Sequence, residues 1–228
     1  QKILQRDGQY IAGYKEDVGI AKNAKVSASS YRKMENTNAD IPFKLDKNYC
    51  LAIPLKSSVL ESIEVKIKNN TNEKQTLDVV VFGGNAIGNY VPKYEIKRVQ
   101  VTVEENFDGW LTLPLNCERS KDMKNYIVLM KNPALEIFAS EERITGAPSF
   151  IYNEKTGRVQ RFKKRLPLKD EKYFCIGFRN IKPEQDLYCP ENVINGYSRP
   201  YGLPNVWVSE DETDPWLELE FDSPQDIK

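Results

Sequence analysis

Apolar residues recur along this chain with a period of two. In residues 60–68, LESIEVKIK, Ile63, Val65 and Ile67 fall on one face and Glu64, Lys66 and Lys68 on the other. Successive side chains of a strand point to opposite faces, so this run predicts a half-buried strand. Residues 76–82 (TLDVVVF) form the next run, and the intervening NNTNEKQ carries turn chemistry, so the two predict a hairpin or a meander. Residues 94–104 (YEIKRVQVTVE) set Val99, Val101 and Val103 against Arg98, Gln100 and Thr102, and 110–115 (WLTLPL) follow the turn NFDG. Residues 126–130 (YIVLM) and 135–139 (LEIFA) flank Asn132-Pro133, and further strands are expected at 25–29, 50–55, 173–178 (YFCIGF) and 216–221 (WLELEF). Short strands at roughly ten-residue spacing, with turn signals between them, predict an all-β fold, an antiparallel β-sandwich. The one helical expectation is a turn near residues 3–9.

The flanks depart from this pattern. Residues 1–17 are polar and mixed, as in a tail or the end of a preceding domain, and 183–190 read as a linker. Residues 154–171, EKTGRVQRFKKRLPLKDE, concentrate Arg158, Arg161, Lys163, Lys164 and Arg165. An exposed loop or edge strand, where Lys and Arg discourage further pairing, explains such a stretch better than an anion site.

Composition narrows the function. A chain of 228 residues, 40% hydrophobic and 11% aromatic, is long enough to bury a substantial core. Lys plus Arg and Asp plus Glu both total 33, spread along the chain, which predicts no electrostatic attraction to nucleic acid or to an anionic membrane. No apolar run approaches the ~20 residues of a membrane span. The opening QKILQRDGQY lacks the layout of a signal peptide and has no initiator Met, so a mature or excised piece is expected.

The chain contains no histidine. That excludes a Ser-His-Asp or Cys-His arrangement, an imidazole base and a His-rich metal site within it. Carboxylates cluster at Glu104-Glu105, Glu141-Glu142 and Glu210-Asp211-Glu212, but each cluster lies in a polar stretch that reads as a solvated turn. Adjacent carboxylates rarely form the opposed pair that glycoside chemistry needs, so an enzyme built on them ranks last. Cys50, Cys117, Cys175 and Cys189 lie far apart without a CxxC pair, which favours isolated small residues over a disulfide framework. If a bridge forms, Cys175 with Cys189 closes the shortest loop.

Three motifs invite a chemical reading. Residues 83–88 (GGNAIG) follow a strand, yet they lack GxGxxG spacing and a Lys-Ser/Thr ending, and the NYVPKYEIK beyond cannot start a helix cleanly. Asn69-Asn70-Thr71 fits an N-glycosylation sequon, a triplet that also occurs by chance. Tyr197, Tyr201, Trp207 and Trp216 could stack on the apolar faces of sugars, with Arg199 and Asn205 bonding to hydroxyls, although a role as packing anchors is the better reading of Trp207 and Trp216. The candidate ligand contacts are therefore Arg199, Tyr201, Asn205 and Trp207.

The run ENVINGYSRPYGLPNVWVS…PWLELEF resembles the start of a discoidin or galactose-binding-like module, also known as a family 32 carbohydrate-binding sandwich. Where that pattern has Asn-Val-Ile-Asp-Gly, this chain has Asn192-Val193-Ile194-Asn195-Gly196, and loss of the Asp weakens any calcium expectation. More widely, LQRDGQYIAGY, AKVSASS, LAIPLKSSVLESIEVKIKN, RITGAPSF and NGYSRPYGLPNVWVS, in that order, resemble the C-terminal region of bacterial FAD-dependent oxidoreductases. That resemblance implies a jelly-roll-like sandwich over residues 18–182 and, over 183–228, a linker and the start of a module cut short. It further implies a flavin domain elsewhere in the parent as partner, a glycan as a second candidate partner, and a periplasmic or secreted setting in preference to a cytoplasmic one. FAD would belong to the parent, because this chain has no dinucleotide fingerprint and is expected to hold no cofactor or metal of its own. The expected function is that of a non-catalytic accessory region serving packing, assembly or substrate presentation.

Overall fold

The computed structural model describes residues 4–6, 9–11, 20–86, 90–165, 171–195, 202–210 and 213–225. Contacts divide the chain into two compact units, Met34–Gln185 and a second formed by Gln1–Lys33 with Asp186–Lys228. In the latter, β1 (Leu4–Arg6) and β2 (Gln9–Ile11) pair as an antiparallel hairpin, where the sequence predicts a helical turn. Each of these strands is three residues long, too short for periodicity to separate a strand from a helical turn. After them comes β3 (Lys25–Ala28).

The larger unit is an antiparallel β-sandwich. One six-stranded sheet contains β5 (Asn48–Pro54), β7 (Gln75–Gly83), β8 (Tyr94–Val103), β10 (Lys124–Leu129), β12 (Ser149–Asn153) and β13 (Arg158–Arg161), in the order β13-β12-β5-β10-β7-β8. The other contains β4 (Ile41–Lys44), β6 (Val59–Asn69), β9 (Asp108–Glu118), β11 (Leu135–Ser140), β16 (Cys175–Ile176) and β17 (Phe178–Lys182). Its main path runs β16-β11-β6-β17, with β4 also on β11 and β9 also on β6. A further hairpin joins β14 (Lys163–Arg165) to β15 (Glu171–Tyr173).

Period-two patterning explains this layering. Leu51 and Ile53 of β5, Val79 and Val81 of β7 and Ile127 and Leu129 of β10 stand on one face of the first sheet and are buried. Ile63, Val65 and Ile67 of β6, Leu113 of β9 and Ile137 of β11 supply the second sheet's share of the core. Burial of each such side chain stabilises by about 1.5–3 kcal/mol before entropy is charged against it. The opposite face of the first sheet is apolar too. Cys50, Ala52, Tyr126, Val128, Phe150 and Tyr152 form a second cluster, roofed by Phe82, Tyr90, Met130 and Val159. For that reason β10 is buried along its whole length rather than on alternate residues.

The strands expected within 50–139 all form, whereas β4, β12 and β13 were not anticipated. Each of these is only four or five residues long, and β4 carries Pro42. β13 closes one edge of the six-stranded sheet, so Arg158 and Arg161 of the basic stretch lie on an edge strand, while Lys163, Lys164 and Arg165 form β14 of a separate hairpin.

In the smaller unit, β18 (Leu217–Glu220) pairs antiparallel with β3, Leu217 opposite Ala28 and Glu220 opposite Lys25. The strand expected near the end of the chain therefore finds its partner among the first thirty residues.

Candidate functional site

Of the four candidate ligand contacts, Arg199 and Tyr201 lie outside the described residues, as does Tyr197. Trp207 is half-buried, and its indole Nε1 donates to the Ser30 carbonyl at 2.9 Å. Asn205 accepts at Oδ1 from Asn195 Nδ2 at 2.5 Å, which ties together two residues ten apart in the C-terminal segment. Nearby, a one-turn 3-10 segment (Pro190–Val193) carries buried Asn192, whose Nδ2 donates to the carbonyls of Leu187 at 2.7 Å and Val206 at 2.9 Å. This Asn fixes the local loop, a role that spacing alone did not reveal. Trp216 is 48% exposed beside β18, with its backbone N–H donating to Ser29 Oγ at 3.3 Å.

The other motifs resolve into structural ties. Asn69 is buried; its Nδ2 donates to the carbonyls of Glu73 at 2.8 Å and Glu104 at 2.9 Å, and its Oδ1 accepts from the Thr71 N–H at 3.0 Å. The sequon asparagine thus closes a turn and has no exposed amide to accept a glycan in the folded chain. The Gly84 N–H donates to Oδ1 of buried Asp122 at 3.2 Å, so this glycine amide serves a carboxylate of the chain itself. Tyr126 donates to Asp122 Oδ2 at 2.8 Å, and the Ser120 hydroxyl also bonds the carboxylate. Burial, reinforced by Asp122, pushes the Tyr126 phenol far above its usual range. Lys124 is buried with Nζ 5.1 Å from the Tyr90 ring centroid; burial lowers its pKa and Asp122 acts in opposition.

All four cysteines are buried thiols, none in a disulfide, so neither the Cys175–Cys189 bridge nor any other forms. Burial raises Cys175 to about 11, which keeps the thiol protonated near neutral pH, and burial raises Cys50 still further. A protonated, enclosed thiol is a poor nucleophile. Among the described residues no group of three or more Cys, Asp or Glu could hold a metal ion.

Within the larger unit a cavity of roughly 270 Å³ opens beside the 141–148 loop and the ends of β13 and β15. Its floor includes Phe150, Phe162 and Phe174, all buried. Phe162 and Phe174 belong to an aromatic cluster with Phe43 and Tyr49 at centroid distances of 4.7 to 5.3 Å, which holds the floor in place. The chain is pinned as well: the Phe162 N–H donates to the Ser149 carbonyl at 3.2 Å and the Phe174 N–H to the Phe162 carbonyl at 2.9 Å. Gly146, at φ 86°, supplies the left-handed residue that turns the loop over the cavity.

At the mouth, the guanidinium carbons of Arg143 and Arg161 lie 5.0 and 5.5 Å from the Tyr173 ring centroid. Both arginines are exposed, and among the described residues neither is held in an ion pair. Neighbouring carboxylates are engaged elsewhere: Glu141 with Lys172 at 2.6 Å, and Glu171 with Lys163 at 2.5 Å and with the Tyr173 hydroxyl at 2.7 Å. Glu142, which also lines the cavity, accepts from Asn38 Nδ2 at 3.3 Å. In the sequence Arg161 belongs to a basic stretch that reads as an exposed loop or edge strand rather than an anion site, and nothing local links it to Arg143 or Tyr173.

No protein-family model, curated protein or solved structure matches this chain.

Proposed function

We propose that this chain is a non-catalytic accessory β-sandwich region of a larger FAD-dependent-oxidoreductase-like protein, serving packing, assembly or substrate presentation. The observation that carries this reading is the bond from Trp207 Nε1 to the Ser30 carbonyl, which spends the most conspicuous aromatic of the C-terminal segment on internal packing. A half-buried indole with its only donor satisfied is a poor sugar platform and a good anchor. Flavin would reside in the parent. The glycine pair Gly83-Gly84 does not fit a pyrophosphate, since the Gly84 amide already serves Asp122 and the preceding residues belong to a strand rather than to a strand-to-helix turn.

Added FAD should leave the melting temperature of this chain unchanged, while the protein produced with the coding sequence immediately upstream should be flavin-coloured. Because a ligand that binds the native state raises its stability, a clear rise in melting temperature with FAD alone would overturn the reading.

Half-exposed Trp216 supports a second reading, a carbohydrate-binding module using the loop from Tyr197 to Trp216. Retention on glycan affinity gels, lost in Trp216→Ala, would establish it. Retention that survives both Trp216→Ala and Trp207→Ala would remove this aromatic loop as the site.

A further inference from the structure

We infer that the cavity between the 141–148 loop and β13 is a binding site for a small amphipathic monoanion, a carboxylate borne on an aromatic or branched apolar body. The inference stands apart from the proposed accessory role. The floor is aromatic and apolar, formed by buried Phe150, Phe162 and Phe174, and suits an apolar body. The mouth is cationic: among the described residues Arg143 and Arg161 face one lining carboxylate, Glu142, a net charge of +1.

The arrangement of the two guanidiniums makes the anion preference specific. Each sits over the Tyr173 ring, which holds a planar cation while its N–H edge remains able to donate. A guanidinium edge matches a carboxylate with two parallel hydrogen bonds, a geometry that an ammonium cannot reproduce. The carboxylates that would otherwise compete, Glu141 and Glu171, are paired with Lys172 and Lys163. The volume, roughly 270 Å³, is near the lower end of small-molecule sites, which are about 300–1,000 Å³, and excludes an extended oligosaccharide.

The probe set that tests this is 3-phenylpropionate, its uncharged amide, and propionate, titrated against the intact chain by calorimetry and by NMR shifts of the Tyr173 and Arg side chains. The expected result is saturable binding of 3-phenylpropionate that weakens with added salt, with both the amide and propionate bound about tenfold more weakly because each lacks one of the two recognised features. Arg143→Gln and Arg161→Gln alter exposed side chains and should each weaken binding about tenfold with an unchanged circular dichroism spectrum. Equal binding of acid and amide would reduce the site to a bare apolar hole and overturn the inference. So would affinity unchanged in both Gln variants, or no saturable binding of 3-phenylpropionate. Equal binding of propionate and 3-phenylpropionate would overturn the role assigned to the aromatic floor.

Discussion

Buried Asp122 has its side-chain oxygens satisfied from three directions, because Tyr126, Ser120 and the Gly84 amide all point donors at it. Tyr126→Phe removes one donor without changing the packed ring and should cost about 1.5–3 kcal/mol, read as a lower urea midpoint with an unchanged fold. Gly84→Ala would set its Cβ against the same carboxylate. The two changes share a partner, so a double-mutant cycle should show them to be non-additive. Ionisation gives a second test at this scale. Burial, with a smaller push from Asp46, raises the Tyr49 phenol from 10.0 to about 12, and burial raises the Cys175 thiol from 9.0 to about 11. Both are neutral in the fold and ionise more readily unfolded. The stability they contribute is therefore fully present below about pH 9 and is lost as pH rises toward about 12. Urea midpoints should fall across that alkaline window, and a flat profile would contradict the burial assigned to both groups.

At the scale of elements, the pairing of β18 with β3 makes a sharp prediction. Leu219 stands opposite Val26 in this two-stranded ladder. Its hydrogen-bonded pairs alternate with such pairs: the Ser29 N–H donates to the Trp216 carbonyl at 3.0 Å, which makes Glu218 opposite Ser27 the next bonded pair. Glu218→Pro deletes that ladder donor and fixes φ, so it should open residues 213–225 to limited proteolysis while leaving the 34–185 sandwich intact. The long strands were legible in the sequence because β6, β7, β8 and β9 are nine to eleven residues long, enough for alternation to show. Short strands were not: β13 reads RVQR, with a single apolar residue, and owes its place to pairing with β12. The partner of β18 was equally hidden, since pairing between the two ends of a chain leaves no mark on local periodicity. The cavity shows the same division. Arg161 stood out within a basic run, yet the convergence of Arg143, Arg161 and Tyr173 depends on the register of β13 with β12 and of β15 with β14.

For the whole molecule, the sandwich of Met34–Gln185 contains both sheets and their shared core. A fragment with those bounds should fold alone and unfold in one cooperative step, since a core of this size meets the requirements of an independent domain. A fragment that stays unfolded would show that the remaining residues are needed to complete the core. Cys50, Cys117 and Cys175 contribute to that core as small apolar groups, and Cys189 is buried in the other unit, all without a covalent staple. Reductant should therefore leave the melting temperature unchanged, and native thiols should react slowly with a disulfide reagent until denaturant exposes all four. A melting temperature lowered by reductant would reveal a bridge. With its thiols enclosed and protonated, the sandwich keeps the same covalent structure on either side of a redox boundary, so its stability travels with it from a reducing compartment into an oxidising one.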